Sequence, residues 1–114
     1  MNDNKTELII TDTLKGTGKA ATKGALLICN YEGFLEDGTK FDSSYNHGRP
    51  FQFVIGSGKV IKGWDQGLMG MKEGGKRTLF VPAHLGYGER SKPSIPPHSN
   101  LIFHVEMIEV RPRE

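Results

Sequence analysis

Leu101-Ile102-Phe103-His104-Val105-Glu106-Met107-Ile108-Glu109-Val110 is the longest regular stretch of the chain. Leu101, Phe103, Val105 and Met107 recur at period two, which places them on one face of an extended strand. Shorter stretches upstream read the same way. Leu8-Ile9-Ile10 opens a first strand, and Leu26 to Tyr31 is a second, apolar on both sides as a central or covered strand must be. Phe51, Phe53 and Ile55 alternate with Gln52 and Val54 as a third, and Thr78-Leu79-Phe80-Val81 is a fourth, stopped by Pro82. Asp37-Gly38 marks a tight turn between Phe34-Leu35 and Phe41. Only one segment has helical spacing: Ile61, Trp64 and Leu68 stand at i, i+3 and i+7. Gly63 and Gly67 lie inside it, and each glycine costs a helix up to about 1 kcal/mol against alanine. This helix must be short and held by tertiary contacts. The fold class predicted is α+β, a five-stranded antiparallel sheet with its apolar face over one short helix.

The 114 residues, 36% hydrophobic and 25% charged, suit one domain able to build its own core. Fifteen Gly and six Pro, spread along the chain, call for many turns, as short strands do. A single cysteine, Cys29, rules out an internal disulfide framework and a thiolate zinc site, and its apolar neighbours make it a small buried hydrophobe. Fifteen basic and thirteen acidic residues leave a net charge of +2 with the signs interspersed. No basic stripe with interleaved aromatics offers a nucleic-acid surface. No apolar run approaches the ~18 residues of a membrane span, and residues 1–6 show no apolar signal region. The sequon-like Asn4-Lys5-Thr6 carries no weight in such a chain. A soluble, cytoplasmic protein is expected, with residues 1–7 a flexible segment and 8–114 one domain.

Several motifs fail on inspection. Gly70-Met71-Lys72-Glu73-Gly74-Gly75-Lys76-Arg77 imitates a phosphate loop until Arg77 stands where a magnesium-binding Ser or Thr belongs. A turn from helix to strand explains its glycines. Gly16-Thr17-Gly18-Lys19 is a still weaker imitation of a dinucleotide fingerprint, with no helix after it. His47, His84, His98 and His104 lack metal-binding spacing and read as solvated side chains, so no metal or cofactor is implied. Gly56-Ser57-Gly58 is not a nucleophile elbow.

The aromatics are placed unusually. Tyr31, Phe41, Phe51, Phe53, Trp64, Tyr87 and Phe103 come from different elements, near the ends of strands or helix. Pattern alone allows a plain core or an apolar pocket with Trp64 as its floor. Asp42, directly after Phe41, reads either as a carboxylate beside that pocket or as a turn or cap before Ser43-Ser44.

Four blocks decide between these readings. Tyr31-Glu32-Gly33-Phe34-Leu35-Glu36-Asp37-Gly38-Thr39-Lys40-Phe41-Asp42-Ser43-Ser44 closely resembles the FKBP-type peptidyl-prolyl isomerases, as do Val60 to Leu68, Leu85 to Glu89 and Ile95 to Leu101. The blocks keep the family's order and spacing across nearly all of 8–110. The resemblance implies a pocket between helix and sheet, lined by Tyr31, Phe41, Asp42, Phe51, Val60 and Ile61, with Trp64 beneath the bound proline and Tyr87 and Phe103 beside it. It implies that the Ile61 N–H and the Tyr87 hydroxyl donate to ligand carbonyls. Asp42 organises the pocket electrostatically, and Ile95 overhangs it from a flexible loop. It further implies proline-containing polypeptides as substrates and the macrolides tacrolimus and rapamycin as inhibitors.

Such a pocket needs no nucleophile. The barrier to rotation, ~18–20 kcal/mol, is amide resonance, and a dry aromatic site can favour the twisted amide with its less polar carbonyl. The chain departs from the best-known relatives in a loop about one residue shorter at Glu89 to Ile95, in Lys92 and in His47. The segment Tyr45 to Phe51 is too short for an inserted chaperone domain. With no dimerisation arm or long helix a monomer is expected, and the brevity of the chain and the Ile95-Pro96-Pro97 block suggest a single-domain member of bacterial type. The alternative function is a protein-docking module whose isomerase activity is incidental.

Overall fold

The computed structural model describes residues 6–113; residues 1–5 of the expected flexible segment and Glu114 lie outside them. The strands are β1 (Ile9–Leu14), β2 (Leu26–Leu35), β3 (Lys40–Ser43), β4 (Phe51–Val54), β5 (Lys76–Val81) and β6 (Leu101–Arg111). One α-helix, α1 (Lys62–Gly67), and two short 3-10 turns, Ser44–His47 and Ala83–Leu85, complete the elements. The sheet runs β1-β5-β6-β2-β3, with β4 also on β2 and every pairing antiparallel.

Six strands occupy five positions. β4 pairs with Leu26 to Cys29 and β3 with Glu32 to Phe34, so both lie along the same strand in succession. The fifth position is one edge broken in two, and β3 is the piece that the sequence showed only as the far side of a hairpin. Asn30 and Tyr31 fall at the break, without a strand on that side. The buried Ser44 hydroxyl fills the gap: it accepts the Tyr31 N–H at 2.9 Å and lies 2.9 Å from Asn30 Oδ1.

The period-two face of β6 forms the centre of the core: Leu101, Phe103, Val105 and Met107 are all buried. β2 and β5 flank it, contributing Leu27, Cys29, Leu79 and Val81, and α1 lies across them with Trp64 and Leu68. The helix glycines serve this contact. A Cβ on Gly63 would sit 2.5 Å from Val81 Cγ1, and one on Gly67 would sit 2.9 Å from Leu79 Cδ2. The helix is therefore closer to the sheet than alanine would allow, which accounts for residues that its propensity disfavours.

Arg77 anchors the far end of α1. Its Nη1 donates to the Gly67 and Met69 carbonyls at 2.9 and 3.2 Å, while Nε and Nη2 grip the Asp12 carboxylate at 2.7 and 3.3 Å. One nearly buried guanidinium thus ties β1, β5 and the end of the helix together. Such carbonyls have no partner within the helix itself.

Candidate active site

Around the break in the edge lies a cavity of about 780 Å³. Its walls come from both sides of the break: Tyr31 on β2, Phe41 and Asp42 on β3, and Phe51 on β4. Phe103 closes it from β6, and Val60, Ile61 and Trp64 arrive with the start of α1. Tyr87 reaches it from the loop after Ala83–Leu85, whose backbone Ala83 N–H is held by Asn100 Oδ1 at 3.0 Å.

Trp64 is only 3% exposed and forms the floor. The rings of Tyr31, Phe51 and Phe103 meet it edge-on, with centroids at 5.0, 5.8 and 5.4 Å. Each edge-to-face contact contributes roughly 0.5–1.5 kcal/mol beyond its burial, so the cage fixes the indole plane. The buried indole N–H has no hydrogen-bond partner among the described residues. Gly33 is where β2 lets this happen: a Cβ there would meet Phe41 Cζ at 2.6 Å and Phe103 Cε1 at 2.9 Å.

The Asp42 carboxylate is tightly held. Oδ2 accepts the Tyr31 hydroxyl at 2.5 Å, and Oδ1 accepts the Ser43 N–H at 2.8 Å and lies 3.1 Å from His47 Nε2. Burial pushes its pKa up, but the bonds from Tyr31, His47 and Ser43 outweigh burial and hold it below the ordinary 3.8. It is a charged, occupied acceptor at neutral pH and a weak base. Ser43, not Asp42, caps the Ser44–His47 turn, its hydroxyl accepting the Tyr45 N–H at 3.1 Å.

Beside the indole N–H, two further donors at the cavity are unpaired. The Tyr87 hydroxyl and the Ile61 N–H have no protein acceptor among the described residues. Burial, reinforced by Asp42, raises the Tyr87 pKa, so its hydroxyl keeps its proton and remains a donor at neutral pH.

Residues 17–108 match the FKBP-type peptidyl-prolyl cis-trans isomerase family. The chain belongs to that family. An FK506-binding protein of Neisseria meningitidis is 53% identical over 104 residues, covering 90% of this chain and 95% of the relative. The human peptidyl-prolyl cis-trans isomerase FKBP2 is 54% identical over 92 residues, 80% of this chain and 65% of its own. The crystal structure of AtFKBP13 superposes with a TM-score of 0.84 at 46% identity, covering 90% of this chain and 91% of that one.

As an FKBP-type peptidyl-prolyl cis-trans isomerase, the chain brings nine of the ten sequence-derived site residues to one cavity. Ile95 is the correction. It is 6% exposed and packed in the core, absent from the cavity lining, because Lys92 and Ile95 exchange backbone hydrogen bonds of 3.0 and 2.9 Å that fold the segment into a tight hairpin. Pro93 and Ser94 make its turn, with Ser94 at φ 69°. His84 is exposed to solvent as expected, and it also lines the cavity. Lys59, Lys62, Asp65 and Arg90 line it too, and nothing in their local pattern distinguishes them from surface charges. Asp65 ties helix to loop, accepting the Gly56 and Gly58 N–H groups at 2.9 and 3.0 Å.

Proposed function

We propose that this cavity turns over X–Pro bonds in protein and peptide substrates without covalent chemistry, and that it assists protein folding. The observation that carries the reading is a pair of unused donors, the Tyr87 hydroxyl and the Ile61 N–H, beside an aromatic floor. The proline ring rests on Trp64 between Tyr31, Phe51 and Phe103, with Phe41 and Val60 completing the apolar wall. Ile61 N–H holds a substrate carbonyl, and Tyr87 holds the carbonyl whose orientation changes as the amide twists. Twisting removes resonance and makes that carbonyl less polar, so a site with little water favours the twisted form over either planar one. Asp42 acts by its fixed charge: its three hydrogen-bond partners keep it ionised and make it a weak base. Lowering the barrier by about 4 kcal/mol accelerates rotation about a thousandfold.

The same apolar walls and donors suit a macrolide that presents a ring and carbonyls in place of the prolyl amide, so tacrolimus and rapamycin are the expected inhibitors. The test is cis-to-trans relaxation of a Leu-Pro-Phe peptide, with and without excess rapamycin. Acceleration abolished by the macrolide supports both statements. Acceleration that survives it retains the isomerase mechanism and removes macrolide binding. A folded protein that accelerates nothing overturns the mechanism.

A further inference from the structure

The charges around the cavity mouth are unbalanced. Lys59, Lys62 and Arg90 line it, and Lys92 Nζ lies 5.2 Å from the centroid of the Tyr87 ring at its edge. All four side chains belong to exposed residues, and none forms an ion pair among the described residues. The two carboxylates of the lining offset only part of this charge, and both are already hydrogen-bonded to protein groups. Asp42 is held by Tyr31, Ser43 and His47, and Asp65 by two backbone N–H groups. Glu89 precedes Arg90 but does not line the cavity. With a net charge of only +2 over the whole chain, four of its exposed cations stand where a substrate must arrive.

Their bases are anchored. Lys59 follows the loop that Asp65 ties to α1, Lys62 opens that helix, and Lys92 is held in the hairpin with Ile95. The Arg90 N–H donates to the Tyr87 carbonyl at 3.0 Å. Arg90 also stands close enough to the Tyr87 phenol to act on it electrostatically, though burial and Asp42 outweigh it. An extended segment crossing the cavity with its proline on Trp64 must carry its neighbouring side chains past these cations.

We infer that the cavity selects proline-containing segments with aspartate or glutamate beside the proline, read by Lys59, Lys62, Arg90 and Lys92. The inference rests on the isomerase reading above and adds a substrate class to it. Cations with no carboxylate partner among the described residues can pair with an arriving acidic side chain without breaking an existing ion pair, whereas a lysine there meets like charge.

The experiment compares peptides with Glu, Gln or Lys flanking a Leu-Pro core, assayed by kcat/KM at low and high salt. At low ionic strength the Glu peptide is expected to exceed the Lys peptide by about fivefold or more, with Gln between, and the gap closes near 0.5 M salt as screening shortens the field to about 4 Å. Lys59→Gln, Arg90→Gln and Lys92→Gln together bring the Glu-to-Lys ratio close to one. A control that neutralises Lys15, Lys72 and Lys76, none of which lines this cavity, keeps the ratio and so separates the rim from overall charge. Equal turnover of Glu and Lys peptides, or a ratio that survives the rim variant, overturns the inference while leaving the isomerase reading intact. A folded protein that turns over none of the three peptides overturns both.

Discussion

The Tyr31 hydroxyl donates to Asp42 at 2.5 Å, whereas the Tyr87 hydroxyl has no protein acceptor among the described residues. The two phenols therefore respond differently to deletion of their oxygens. Tyr87→Phe removes a donor available to substrate and leaves no protein group unpaired, so kcat/KM should fall by about 3–10-fold with the melting temperature nearly unchanged, one net hydrogen bond being ~0.5–1.5 kcal/mol. Tyr31→Phe takes a partner from a part-buried carboxylate, so it should lower stability by about 1–2 kcal/mol as well as turnover. Peptide relaxation and urea unfolding on both variants check the contrast. Asp42 also sets a pH expectation. Its pKa lies below the ordinary 3.8, so the ionised form persists as pH falls to that value, and the pH–rate profile should show no carboxylate inflection above about pH 5. An inflection there would mean that turnover depends on a carboxylate of raised pKa, against Asp42 as a firmly ionised acceptor.

At the scale of elements, α1 and the broken edge of the sheet make the site. α1 has six residues, too few to hold itself, and its Gly63 and Gly67 allow it to touch β5. Two effects of Gly63→Ala oppose each other. Helix propensity favours alanine by about 1 kcal/mol, while overpacking against Val81 costs about 1–3 kcal/mol because the new Cβ would lie 2.5 Å from a methyl in a filled core. The clash should win, giving a lower melting temperature, and the floor residue Trp64 should shift with the helix and lower kcat/KM. Thermal unfolding checks the first, and peptide relaxation the second. The sequence exposed α1 clearly through its spacing. It did not expose the break: Lys40–Ser43 is short, and its pairing is decided by where β4 leaves β2.

For the whole molecule, the Asp12–Arg77 pair joins the edge strand β1 to the helix end. Hydrogen bonding to Arg77 lowers the Asp12 pKa, against a smaller effect of burial. A depressed folded-state pKa contributes stability above the unfolded value of 3.8, and that contribution disappears as pH falls through the folded value. The wild-type protein should therefore be more stable than Asp12→Asn at pH 7, with the difference shrinking as pH falls below 3.8 and through the folded value. Urea midpoints across that range check it. A difference constant with pH would assign the loss to packing.

Strand order in sequence, one helix and the aromatic set were legible because hydrophobic periodicity is local and reports which face meets the core. The four blocks from Tyr31 to Leu101 carried the family and with it most of the site. Other features needed the folded chain. Asp42 could be a cap or a pocket acid until Ser43 took the cap and Tyr31 closed on the carboxylate. Ile95 entered the core because backbone bonds to Lys92 turned it inward. Lys59, Lys62, Arg90 and Lys92 became one rim only after two separate segments met at the cavity mouth. Local pattern records burial along an element, but the charge around a cavity is a sum over residues distant in sequence, and only tertiary structure performs that sum.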